Sequence, residues 1–377
     1  MTKNSSTNTD RKLVWITVVI TAFLILTVVL LFIVARKDDA MQGADQAIKL
    51  SAQGGFSCEY AEAQKLYAFG EGILKVTGDR VAYLTLSGNE VFSKTVNFSN
   101  PQAYIKGDKA VVFDMNGYGF VLLDHENVLL EKPTQYKIKS AYLSDNDLVA
   151  VITDCDQGYG IVEVLSADGK SLLNWTSYSS GYPLSVAFNE DSSMFAVTTL
   201  NTAGAVYVPY IRLFNYNEST QRYDDYAFYT VEDTTIFSAA VYCGDTLFTF
   251  TTDSIYQLKD NTLTRLETDL GVINQVNSVD GVVFVVHSNG VDQVNSVAVL
   301  NENGEIIYDS PVGSNINTVA VSNDLYALSI DNSIYVFNKN GSVISDITVD
   351  EDVLRIGFVG NNKLIVISTG GVHTVDY

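Results

Sequence analysis

Positive charge is scarce in this chain: 23 Lys and Arg stand against 44 Asp and Glu, a net charge of −21. A surface of that sign repels nucleic acid and anionic lipid, so neither is expected as a partner. Proline is rare, with five residues in 377, and together with abundant Tyr, Val, Thr and Phe this favours strands over helices. Three cysteines, Cys58, Cys155 and Cys243, permit at most one disulfide, and no pair has zinc-ligand spacing. Isolated buried or half-buried thiols are expected. The three histidines, His125, His287 and His373, lie far apart and suggest no metal site. Gly-rich phosphate loops, G-x-S-x-G elbows and H-E-x-x-H helices are all missing.

What is present begins with an uncharged run at residues 13–35 (LVWITVVITAFLILTVVLLFIVA), without proline or glycine. As a helix it is about 35 Å long, enough to cross a hydrocarbon core of about 30 Å. The core is too long for a cleavable signal and ends in Ala35-Arg36-Lys37-Asp38-Asp39, so an uncleaved anchor is expected. Lys3, Arg11 and Lys12 precede it, and Arg36, Lys37 and Lys49 follow, a near balance that the terminal amine tips toward an inside amino terminus. The expected layout is a cytoplasmic tail (1–12), a transmembrane helix (13–35), a small, polar tether (36–55) and an extracytoplasmic domain (56–377). Five basic groups and one acid lie in residues 1–37, so the remainder carries 18 basic against 43 acidic groups, or −25.

After residue 56 one phrase recurs, apolar on alternate positions and closed by an Asx/Gly turn. It reads PQAYIKGD (101–108), IKSAYLSDN (138–146), PLSVAFNED (183–191), IFSAAVYCGD (236–245), INQVNSVDG (273–281), INTVAVSND (316–324) and VLRIGFVGN (353–361). A weaker copy, QKLYAFGEG, begins at Gln64. A more apolar strand follows each copy, then a third strand, a turn and a fourth. Four strands in about 40 residues make a propeller blade, whose two faces are buried only by stacking in a ring. The fold class is therefore all-β: a β-propeller of four-stranded blades, eight favoured and seven possible, preceded by one transmembrane helix. The last unit stops after its third strand at HTVDY (373–377). Its fourth strand is expected from the start of the domain, around residues 56–61 (FSCEYA).

The hairpin GIVEVLSADGKSLLNW (160–175) and the repeat length resemble the propeller repeats of quinoprotein-like and outer-membrane-assembly-type proteins. The layout of tail, span and β-repeat domain also resembles an uncharacterised family of single-span, membrane-anchored β-propeller proteins of Gram-positive bacteria. That resemblance implies a noncatalytic binding or scaffolding propeller at the cell envelope. Only Trp175 takes the tryptophan position of the repeat; the equivalent places carry Phe92, Ile307 or Ile344, so the tryptophan girdle of true quinoproteins is missing. An adjacent cysteine pair, found in many cofactor-binding members, is missing too.

Two stretches draw chemical interest. Asp154-Cys155-Asp156-Gln157-Gly158 places two carboxylates at i and i+2, but lacks the further ligands of a calcium loop and reads as an acidic turn. Residues 206–231 (VYVPYIRLFNYNESTQRYDDYAFYTV) are rich in Tyr and Phe, and read as a longer hairpin whose tyrosines cover the blade edge, with a partner-docking surface as the alternative. No catalytic, cofactor-binding or metal-binding residue is assigned, and no cofactor is expected. The expected function is noncatalytic binding of an envelope protein or glycan. The competing reading is an extracytoplasmic hydrolase or lyase acting on cell-wall glycan, which clustered carboxylates in the central funnel would favour.

Overall fold

A computed structural model describes residues 47–58, 64–232, 235–290, 294–313, 316–322 and 324–377. The expected span at 13–35 lies outside these residues; among the described residues no helix is long and apolar enough to cross a membrane. The chain divides into two units, Met1–Ile48 and Lys49–Tyr377. The second opens with a single 3-10 turn, Leu50–Ala52, and strand β1 (Gly54–Ser57).

Seven blades then follow in sequence. Blade 1 holds β2 (Lys65–Phe69), β3 (Gly72–Val76), β4 (Arg80–Thr85) and β5 (Glu90–Thr95). Blade 2 holds β6 (Pro101–Lys106), β7 (Lys109–Asp114), β8 (Gly119–Leu123) and β9 (Val128–Pro133). Blade 3 holds β10 (Ile138–Leu143), β11 (Val149–Thr153), β12 (Ile161–Leu165) and β13 (Ser171–Thr176). Blade 4, with the longest strands, holds β14 (Tyr182–Phe188), β15 (Met194–Asn201), β16 (Val208–Asn217) and β17 (Arg222–Thr230). Blade 5 holds β18 (Ala239–Cys243), β19 (Thr246–Phe250), β20 (Ile255–Lys259) and β21 (Thr262–Arg265). Blade 6 holds β22 (Val272–Val279), β23 (Val282–Ser288), β24 (Asn295–Asn301) and β25 (Ile306–Gly313). Blade 7 holds β26 (Ile316–Val321), β27 (Leu325–Ile330), β28 (Ser333–Asn338) and β29 (Val343–Thr348). Blade 8 joins β30 (Val353–Val359), β31 (Lys363–Ser368) and β32 (Gly371–Asp376) to β1, in the order β1-β32-β31-β30.

The eight four-stranded sheets make this an eight-bladed propeller, with the first strand of each blade innermost. The recurring phrases of the sequence are those innermost strands. Second strands are buried throughout, as in VAVIT of β11 and TLFTF of β19, because neighbouring blades cover both faces. Apolar clusters bridge consecutive blades: Ala150, Ile152 and Val164 of blade 3 pack with Phe195, Val197 and Phe214 of blade 4.

The ring is sewn by its two ends, as expected, but two residues earlier than the sequence reading placed the strand. Gly54 pairs with Thr374 and Ser57 with Gly371. The Gly-Gly pair reads as flexible tether, yet it serves close approach: a Cβ on Gly55 would lie 2.0 Å from the Val372 carbonyl oxygen, at a φ of +133°. At the axis, Gly357 of β30 meets Ala68 of β2, and a Cβ there would lie 2.2 Å from the Ala68 Cβ. Both seams of blade 8 are thus set by missing side chains.

The tryptophan comparison needs correcting. Trp175 pairs with Val162, the second residue of its third strand; the residues at that register are Lys94 in blade 1 and Ile347 in blade 7. Ile307 and Ile344 sit near the turn instead and are exposed. The bulge sits two residues past the turn-closing residue in all four hairpins, at Val91, Leu172, Ile307 and Ile344, so Trp175 lies three residues beyond the position that Ile307 and Ile344 hold.

Candidate functional site

The strand order gives the ring two unlike faces. One, the hairpin face, carries the turns joining first to second and third to fourth strands. The other, the crossover face, carries the second-to-third turns and the inter-blade connections. Leu50 donates its N–H to Asp350 Oδ1 (2.9 Å) in the β29–β30 connection, so the folded unit begins on the crossover face.

Tyrosines gather on that face over blades 2 to 4. Tyr118 lies in the β7–β8 turn, Tyr136 in the β9–β10 connection, Tyr159 in the β11–β12 turn and Tyr178 in the β13–β14 connection. Tyr182 opens β14, and Tyr207 lies in the β15–β16 turn. Tyr118, Tyr178, Tyr182 and Tyr207 are each at least half exposed, Tyr178 at 69%. The rings of Tyr159 and Tyr182 meet edge to face at 5.0 Å.

The loop presenting Tyr178 is held firmly. Ser177 Oγ donates to the Gly181 carbonyl (2.6 Å), Thr199 Oγ1 to the Ser180 carbonyl (2.6 Å) and Asn201 Nδ2 to the Ser179 carbonyl (2.7 Å). Gly181 is obligatory here, since a Cβ would lie 2.0 Å from the Leu200 carbonyl oxygen. A surface already ordered before binding loses less entropy on association.

Beside this loop, Arg212 of β16 ties blade 4 to blade 3. Its Nε donates to Ser180 Oγ (2.8 Å) and its Nη1 pairs with Asp225 (3.0 Å). Its guanidinium lies 5.8 Å from the Trp175 ring centroid and 5.2 Å from that of Phe228. Phe228 and Tyr226 are exposed on the outer strand β17, extending the aromatic surface around the rim of blade 4.

The aromatic stretch at 206–231 therefore divides. Tyr207, Tyr226 and Phe228 face solvent, whereas Tyr223 is buried and donates its hydroxyl to the Ser192 carbonyl. Tyr118, Tyr159, Tyr178 and Tyr182 were not singled out by sequence, because they belong to different repeats. Aligning the repeats on their turns would have put them all on one face.

The acidic loop is spent on local pairing. Asp154 pairs with Lys139 (2.9 Å) and Asp156 accepts from the Tyr136 hydroxyl (3.2 Å). Among the described residues no group of three His, Cys, Asp or Glu side chains could hold a metal. The histidines are scattered: His125 is exposed in a turn near the Tyr83 ring, and His287 is buried between the Leu270 carbonyl and Asp309. His373 is buried 4.0 Å from Glu351, whose carboxylate already accepts from Ser368 Oγ and the Gly370 N–H. All three cysteines are free, and burial raises the Cys243 thiol to about 11.

Clustered carboxylates along the axis would have favoured the competing hydrolase or lyase reading. None of the eight innermost strands contains Asp or Glu; between them they carry Lys65, Lys106, Lys139 and Arg355. A bulge near the start of β10, β22 and β26 leaves Lys139, Asn274 and Asn317 exposed at the crossover end of the channel.

These features define an eight-bladed β-propeller with a tyrosine-bearing crossover face and a channel wall free of acids. The chain belongs to DUF5711, a family of unknown function, whose sequence profile matches residues 48–376. Among curated proteins none is significantly similar in sequence. Among solved structures, BamB from Moraxella catarrhalis is similar with a TM-score of 0.53 at 14% identity, covering 86% of this chain and 99% of that one. Apo AztD from Citrobacter koseri is similar with a TM-score of 0.53 at 13% identity, covering 78% and 88%. Identities this low establish a shared fold and nothing further.

Proposed function

We propose that this protein is a membrane-anchored, extracytoplasmic propeller that binds an envelope protein or glycan without covalent chemistry, acting as a scaffold. The observation that carries this reading is the preordered tyrosine surface on the crossover face of blades 2 to 4. Tyrosine offers apolar area and a hydrogen bond at little entropic cost, which suits recognition of protein or sugar surfaces. The anchor is the apolar run at 13–35, and an amino-terminal inside orientation puts the propeller outside the cell.

The test is chemical crosslinking of membranes containing the full chain, followed by recovery through a C-terminal tag. The expected result is a reproducible protein or glycan adduct that is lost in a Tyr178→Ala/Tyr182→Ala/Tyr207→Ala variant with an unchanged melting midpoint. Recovery of nothing reproducible, or an adduct indifferent to the three substitutions, would overturn the reading.

A further inference from the structure

The channel wall carries a second recognition feature, independent of the tyrosines. The absence of acids from all eight innermost strands, in a chain with 44 Asp and Glu, is not explained by burial. Burial penalises both signs of charge, yet four cations are present. Two are neutralised: Lys106 pairs with Asp145 (2.8 Å) and Lys139 with Asp154 (2.9 Å).

Lys65 and Arg355 are not. They lie on β2 and β30, the two innermost strands that meet where the ring closes, both in the half of the strand nearer the crossover face. Lys65 Nζ donates to the Pro101 carbonyl (2.9 Å) and Gln102 Oε1 (3.1 Å), both neutral acceptors on β6. The Arg355 guanidinium sits 4.5 Å over the Tyr67 ring and, among the described residues, has no hydrogen-bond acceptor and no ion pair. The β29–β30 connection carries three carboxylates: Asp350 accepts from the Leu50 N–H, Glu351 accepts from Ser368 and Gly370, and Asp352 is exposed and makes no ion pair with either cation. Burial, then the positive charge of Arg355, lowers the pKa of Lys65. Two like charges are thus held near each other with no carboxylate paired to either among the described residues.

We propose that Lys65 and Arg355 form an anion site at the crossover mouth of the channel, taking a single carboxylate or phosphate group of a ligand. The Arg fork matches either group through paired N–H donors, and the lysine adds a point charge from the neighbouring blade. Tyr67 fixes the guanidinium plane from beneath. Acid-free walls favour entry of an anion that the outer surface would repel.

The test is isothermal titration of the full-length chain in detergent at constant ionic strength, with succinate and inorganic phosphate as separate probes. Saturable one-to-one binding of either probe is expected, weakened about tenfold or more in Arg355→Gln and in Lys65→Gln. The control Lys106→Gln, on the same ring of strands but already paired, should bind like the parent. Succinate alone binding assigns a carboxylate ligand, phosphate alone a phosphorylated one, and both a site that reads charge. No saturable heat with either probe overturns the proposal. So does equal weakening in Arg355→Gln and Lys106→Gln, which would reflect net charge. A melting midpoint near the parent's in each variant separates lost binding from lost fold.

Discussion

Replacing Gly55 by alanine tests how the ring is closed. The new methyl would lie 2.0 Å from the Val372 carbonyl oxygen and 2.8 Å from its carbon, at a φ of +133° that side chains resist. Holding a non-glycine residue there costs about 1–3 kcal/mol, and the overlap a further 1–3 kcal/mol or about that. The relief available is separation of β1 from β32. Gly360→Ala is the matched control: it also has positive φ, +54°, but nothing lies within 4 Å of its Cβ. Its cost is the backbone term alone, about 1 kcal/mol. Urea unfolding followed by far-ultraviolet dichroism should show Gly55→Ala losing about 2–6 kcal/mol, clearly more than the control. Because β1 is an edge strand, amide exchange at Phe56 and Ser57 should accelerate before global unfolding is seen. Equal loss in the two variants, with unchanged exchange in β1, would refute closure by this strand.

Three further outcomes are expected. Arg212→Ala removes the Asp225 pair, the Ser180 hydrogen bond and two ring contacts, and should cost about 1–3 kcal/mol in urea unfolding. Tyr326→Phe keeps the stack on Phe284 (4.4 Å) but deletes a buried hydroxyl that has no partner among the described residues; stability should hold or rise by about 1 kcal/mol, whereas Tyr223→Phe, which loses the bond to Ser192, should fall by a similar amount. The Cys243 thiol, raised to about 11 by burial, should escape alkylation at pH 8 in the folded protein while Cys155 reacts first, as peptide mapping would read. Its linkage has a definite sign. The raised value stabilises the fold fully below pH 9, and that contribution disappears as pH climbs from about 9 to about 11.

The blade count was legible because the first-strand phrase survives in every repeat. Its apolar alternation and closing Asx/Gly turn are both demanded by packing, so all eight copies mark innermost strands. The closure was legible in kind only. Gly54 and Gly55 read as tether because composition cannot separate a glycine kept for flexibility from one kept for close approach. The outer strands were misaligned at Trp175 because they are half exposed and weakly patterned, so nothing in composition ties Trp175 to Lys94 and Ile347, the residues that share its register. The tyrosine surface was half legible: the run at 206–231 is dense enough to notice, whereas Tyr118, Tyr159 and Tyr178 are single residues in separate repeats. Arg355 and Lys65 lie far apart in the sequence, and their strands come together only when β30 closes against β2.

The most direct test of the account is site-specific photo-crosslinking of the full chain in intact cells. A photoreactive residue at position 178 or 207, on the crossover face, is compared with one at Asp168 or Asn303, on the hairpin face. The account predicts a discrete adduct from the first two positions and none from the others. Adducts only from Asp168 or Asn303, or equally from all four, would contradict it.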